Sequence, residues 1–127
     1  MIKEDSNEFI NNSSIGIHTV SSEGIIEYAN QFELNSLGYT EDEYVGQHVS
    51  KFQMDKSALS DMMQKLGDFE ILKNYPAKVQ AKGEVKYILY NSSVYVKDDE
   101  FIHTRCYGVE IAPQVYDVFY KLLHTKS

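Results

Sequence analysis

The chain has 127 residues, enough for one domain that can bury a core without staples. Hydrophobic residues make up 43% and charged residues 24%, an ordinary balance for a soluble globular protein. The formal net charge of -7 argues against a nucleic-acid-binding or anionic-membrane surface, since both need clustered Lys and Arg. Cys106 is the only cysteine, so no internal disulfide can form, and a reducing, cytoplasmic location is expected. No apolar run approaches the length of a membrane span, and Met1 to Asn12 is too polar for a secretory signal, so no direct membrane contact is expected. Ten tyrosines and six phenylalanines, with no tryptophan, predict an aromatic core and part of a pocket wall.

Residues Glu4 to Asn11 can form a short helix with Phe9 and Ile10 on one side. Ile15 to Val20 reads as a strand, Ser21-Ser22-Glu23-Gly24 as a turn and Ile25 to Ala29 as a second strand, together a hairpin. Asn30 followed three residues later by Glu33 resembles a capping box, which predicts a short helix through Leu34 and Leu37 to a stop at Gly38. Thr40-Glu41-Asp42-Glu43 repeats the pattern, and Gly46 ends that helical turn. A longer helix is expected from Asp55 to Leu66, with Ala58, Leu59, Met62, Met63 and Leu66 on one face.

The second half changes period. Ile71 to Ala81, Val85 to Val96 and Phe101 to Val109 are rich in β-branched and aromatic residues. Lys82-Gly83-Glu84 and Lys97-Asp98-Asp99-Glu100 separate them, which predicts a three-strand antiparallel meander. Pro113 to Lys126 reads as a helix with Pro at its first position, with Val115, Phe119 and Leu122 at i, i+4 and i+7 and Tyr116 and Leu123 beside them. The expected fold is α+β: a five-stranded antiparallel sheet with short helices over one face and a flanking helix at each end.

Gly24-Ile25-Ile26-Glu27-Tyr28-Ala29-Asn30, then Leu37-Gly38-Tyr39, then Tyr44-Val45-Gly46-Gln47 is similar to the first half of a PAS domain. The Lys82-Gly83-Glu84 turn and the long paired strands resemble the second half. The resemblance covers roughly residues 9–112 of what is expected to be a single domain, with 113–127 as a signalling or linker helix. It implies a cavity between sheet and helices that takes a small organic ligand, a homodimer, and relay through the terminal helix to an output domain such as a histidine kinase. Such a module is not an enzyme by itself. PAS domains often close the last strand with an Asp-Ile-Thr-like triplet. Here Glu110-Ile111-Ala112 keeps the carboxylate and lacks the hydroxyl. Glu110, Val115, Phe119 and Leu122 are the candidate relay residues.

The candidate pocket residues are Glu33, Leu37, Tyr39, Tyr44, Phe52, Met54, Leu59, Met62, Met63, Tyr90, Thr104 and Cys106. Glu33 falls where photoactive yellow protein places a chromophore-contacting Glu, and it can equally cap its own helix; Lys51 to Lys56 holds no Cys to attach such a chromophore. Ser50-Lys51-Phe52-Gln53-Met54 lacks the Cys of a flavin-adduct motif, and Asp55 to Phe69 holds no His for a haem, so neither cofactor is expected in that form. Met62 and Met63 read as core rather than iron ligands. Alternation puts Thr104, Cys106 and Gly108 on one face, which by the resemblance lines the cavity; Cys106 can equally be a small buried apolar residue. His18 and His48 read as hydrogen-bonded or exposed histidines without metal-ligand spacing, and His124 as a solvated cation at a helix end. A ligand-free interaction module is the alternative. A small isomerase-like or dehydratase-like enzyme would need an ionisable pair deep in a pocket, with Glu33 or His18 as base, and no such pair is legible in the sequence.

Overall fold

The computed structural model describes residues 4–125. In chain order it has α1 (Ser6–Asn11), β1 (Gly16–Val20), β2 (Ile26–Ala29), α2 (Gln31–Leu37), α3 (Glu41–Tyr44), a 3-10 turn (Val49–Lys51), α4 (Lys56–Gly67), β3 (Leu72–Ala81), β4 (Glu84–Lys97), β5 (Glu100–Ile111) and α5 (Pro113–His124). The strands form one antiparallel sheet in the order β2-β1-β5-β4-β3. The first hairpin and the later meander are therefore joined by β1 pairing with β5, the two segments farthest apart among the strands.

Local chemistry sets the element ends. The Asn30 side chain accepts from Glu33 N at the start of α2, and Gly38 takes φ 82° at its end, a left-handed conformation that glycine adopts without steric cost. Thr40 and Glu43 form a complete capping box on α3. The Asp55 side chain caps α4 by accepting from Ala58 N. The β4–β5 connection takes positive φ at both Asp98 (53°) and Asp99 (62°), the handedness that suits a tight hairpin.

The core lies between one sheet face and helices α2, α3 and α4. Ile26, Leu37 and Val79 are among its most deeply buried side chains. On α4, Met62 and Leu66 are buried and Ala58, Leu59 and Met63 pack against the core, so its five apolar positions do share one face. Tyr39, Tyr44 and Phe52 form an aromatic group with ring centroids 4.8–5.9 Å apart.

Helix α5 packs against β3 and β4. Tyr116 is buried against Tyr87, with ring centroids 5.0 Å apart, and Leu123 reaches the core. Val115 is 39% and Leu122 59% exposed, so the inward stripe runs one residue later than the Val115–Leu122 phase. The larger Tyr116 ring, i+7 from Leu123, buries more area than Val115 and sets the rotation of the helix. Lys126, the last residue of the expected helix, lies outside the described residues.

Candidate functional site

Strand register assembles the site. His18 on β1 sits directly opposite Cys106 on β5, and Cys106 sits directly opposite Ser92 on β4. Directly opposed side chains on one sheet face are near neighbours, so three strands lay His, Cys and Ser in a row across the inner face. Thr104, two residues before Cys106, places Oγ1 3.2 Å from Cys106 Sγ. The same Oγ1 accepts from Val20 N at 3.0 Å, which leaves the hydroxyl proton free to point at the sulfur.

Helix α2 brings Glu33 to the other side of His18. Glu33 Oε2 is 2.8 Å from His18 Nδ1 and accepts from the Tyr44 hydroxyl at 2.7 Å. The imidazole contact is a close ion pair, but the ring N–H is not aligned for a hydrogen bond. His18 is 6% and Glu33 3% exposed. Tyr44 and Tyr90 meet the His18 ring edge-on, with centroids 6.4 and 5.7 Å away. Gly16 gives the carboxylate its room, because a Cβ there would collide with Glu33 Oε1.

The sequence left two roles open for Glu33, and capping is not the one it performs. A capping box needs the N-cap N–H for the Glu carboxylate, and Asn30 N donates to Ile17 O at 2.8 Å instead. The ionisable pair that the sequence did not reveal is present: His18 and Glu33 form it, deep under the sheet.

Burial alone would lower the His18 pKa, but the negative charges of Cys106 and Glu33 more than offset it and hold His18 well above its ordinary 6.5. Burial alone would raise Glu33, and the His18 cation with the hydrogen bond from Tyr44 brings it below 4.5. Burial would also raise the Cys106 thiol; the His18 cation on the facing strand, with the contact to Thr104, brings it below 9.0. Tyr44 and Tyr90 are pushed well above 10.0, by burial first and by Glu33 second.

A cavity of about 50 Å³ lies between α4 and the sheet. His18, Gln53, Ser92, Thr104 and Cys106 form its polar end, and Leu59, Met62, Met63 and Leu66 its apolar end. It can hold roughly four waters or a ligand of a few heavy atoms. A flavin or a haem does not fit it. Among the described residues, no group of three or more His, Cys, Asp or Glu side chains could hold a metal ion.

Of the candidate pocket residues, Leu59, Met62, Met63, Tyr90, Thr104 and Cys106 line this cavity. Tyr44 and Phe52 border a smaller void next to it, and Glu33 lies behind His18. Three candidates lie elsewhere. Met54 is 44% exposed, because its N–H extends the sheet edge to Lys78 O and turns the side chain outward. Leu37 is core beneath the turn after β3, its carbonyl accepting from Lys82 N. Tyr39 stacks on Tyr44 and donates to Gln80 O. Ser92 and Gln53, absent from the candidates, line the polar end; Ser92 was legible only as an inward position of a long strand.

Comparison with protein-family models gives no match, and neither does comparison with curated proteins. Solved structures do match. A light-oxygen-voltage domain studied with a flavin analogue aligns at a TM-score of 0.79 and 13% identity, covering 94% of each chain. The PAS domain of an HTR-like protein from Haloarcula marismortui aligns at 0.71 and 18%, covering 83% of this chain and 88% of that one. The PAS domain of nitrogen regulation protein NR(II) from Vibrio parahaemolyticus aligns at 0.68 and 14%, covering 86% of this chain and 100% of that one. Among the described residues no helix is long and apolar enough to cross a membrane. The sheet order, the helices over its inner face and these alignments show that the chain has the PAS fold.

Proposed function

We propose that the chain is a sensory module in which a small organic molecule occupies the cavity, shifts β5, and is reported through α5 of a homodimer to an output domain of the histidine-kinase kind. The observation that carries the reading is the cavity itself: a polar end built from three strands, facing an apolar wall from α4. Cys106 and Thr104 stand on β5, which runs directly into α5 through Ala112, so a ligand touching them touches the relay strand. Solved PAS domains of NR(II) and of a two-component sensor histidine kinase share the fold, which supports the output class. The flavin of a light-oxygen-voltage neighbour does not carry over, because about 50 Å³ leaves no room for its ring system. The module has no catalytic role in this reading: ligand occupancy is the signal that is relayed.

Native mass spectrometry with a visible spectrum, on freshly purified protein, tests this. The expected result is a small bound mass without Soret or flavin bands, lost in the cavity-filling variant Leu59→Trp. A clean apoprotein whose dimerisation is untouched by Leu59→Trp overturns it in favour of a ligand-free interaction module.

A further inference from the structure

We propose that the cavity is built for an uncharged short-chain carbonyl or hydroxyl compound, its oxygen met by the Ser92 and Tyr90 hydroxyls and its carbons laid against α4. The inference rests on the sensory reading for the cavity being the ligand site, and adds to it the class of ligand.

Two buried hydroxyls carry the assignment. The other tyrosines of the core engage theirs with the protein: Tyr44 donates to Glu33 Oε2 at 2.7 Å, Tyr75 to Asp61 Oδ2 at 2.7 Å and Tyr39 to Gln80 O at 2.8 Å. Tyr90 is 3% and Ser92 4% exposed, and both line the cavity from the inner face of β4. Among the described residues neither hydroxyl has a hydrogen-bond partner, and Thr104 Oγ1 on the next strand is already taken by Val20 N. Among the described residues only His18 Nδ1 is walled in by protein without a hydrogen bond, and it lies against Glu33, so the Ser92 and Tyr90 oxygens open onto the void. Buried hydroxyls left unpaired are costly, and two of them on one cavity wall mark where the polar group of a guest belongs.

Water does not satisfy the whole cavity. A buried water needs about two to four polar partners. Leu59, Met62, Met63 and Leu66 at the far end offer none, whereas a short alkyl group fits there.

Charge and size narrow the class. The cavity lining contains no Lys, Arg, Asp or Glu, and His18 is already matched by Glu33 at 2.8 Å. A carboxylate or an ammonium would therefore be buried without a counter-charge. A volume of about 50 Å³ limits the guest to a few heavy atoms.

The test uses the full chain and three probes matched in size: acetone, acetate and isopropylammonium. Each is titrated at neutral pH, with the amide NMR shifts of Ser92, Thr104 and Cys106 as readout. The expected result is a saturable shift with acetone, at a concentration at least about ten-fold below any seen with the two ions. Ser92→Ala and Tyr90→Phe should each weaken acetone binding about five-fold. Neither should lower the melting temperature of the ligand-free protein, because each removes a hydroxyl without a protein partner. Equal binding of either ion overturns the proposal, as does wild-type acetone affinity in both variants. A lowered ligand-free melting temperature in both variants also overturns it, since the protein itself would then hold these hydroxyls. The mass read by native mass spectrometry separates the two readings. A charged compound retained by wild type removes this ligand class and leaves the sensory reading, whereas a clean apoprotein indifferent to Leu59→Trp removes both.

Discussion

Glu33 shows how one donor redirects a side chain. Its place three residues after Asn30 is the capping-box place, and the local pattern carries no sign that Asn30 N is already bonded to Ile17 O on β1. With that donor taken, the carboxylate turns inward to His18 and Tyr44. The inward position of His18 was legible from strand alternation; its pairing with Glu33 was not, because it depends on α2 lying over β1. The pair has a definite pH signature. Glu33 is held below its ordinary 4.5, so its contribution to stability is present above about pH 4.5 and is lost as pH falls through the lower folded value. His18 is held above 6.5, so its contribution is lost as pH rises. Cys106, held below 9.0, runs with the opposite sign there, which makes the acid limb the clean one. Glu33→Gln should cost about 3 kcal/mol near pH 6, because it leaves the histidine buried without its counter-charge. It should also flatten the loss of melting temperature below pH 4.5. Equal acid slopes for wild type and variant would contradict the ion-pair assignment.

At the scale of elements, period and caps were legible and long-range ties were not. Alternation marked all five strands, and the end signals at Asn30, Gly38, Thr40 and Asp55 correspond to real helix ends. The 3-10 turn at Val49–Lys51 escaped notice because its cap is a histidine, His48, and its length is three residues. Asn30 does more than cap. Its Oδ1 accepts from Glu33 N (2.9 Å) and Ile17 N (3.0 Å), while Nδ2 donates to Ile10 O (2.9 Å) and Ile15 O (3.0 Å). One fully buried amide thus ties the end of α1, the start of β1 and α2 together. Asn30→Ala should cost about 3 kcal/mol in urea unfolding, about 1 from the cap and the rest from buried groups left unpaired. Asn30→Asp keeps both accepting roles but sets a carboxylate against two carbonyls, so it should not restore stability. A near-wild-type Asp variant would show that the two accepted bonds carry the stability and the two donated ones do not.

At the scale of the whole molecule, the strand order could not be read from the chain. Pairing β1 with β5 joins segments about 90 residues apart, and no local pattern records it. The same limit hid the rotation of α5. Its spacing allowed either of two neighbouring stripes to face inward, and docking on Tyr87 and Lys78 chose the one through Tyr116. The stripe left outside includes Val115 at 39%, Val118 at 56% and Leu122 at 59% exposure. Three apolar side chains on the outer face of one helix are the surface a second copy would cover in the proposed homodimer. Phe119→Asp would burden a half-buried side chain and confuse unfolding with dissociation, whereas Val118→Asp with Leu122→Asp touches only exposed positions. Sedimentation equilibrium should show a wild-type dimer and a monomeric double variant with an unchanged melting temperature. A variant that stays dimeric would place the interface elsewhere, with the exposed Tyr107 and Val109 on the outer sheet face next to be tested.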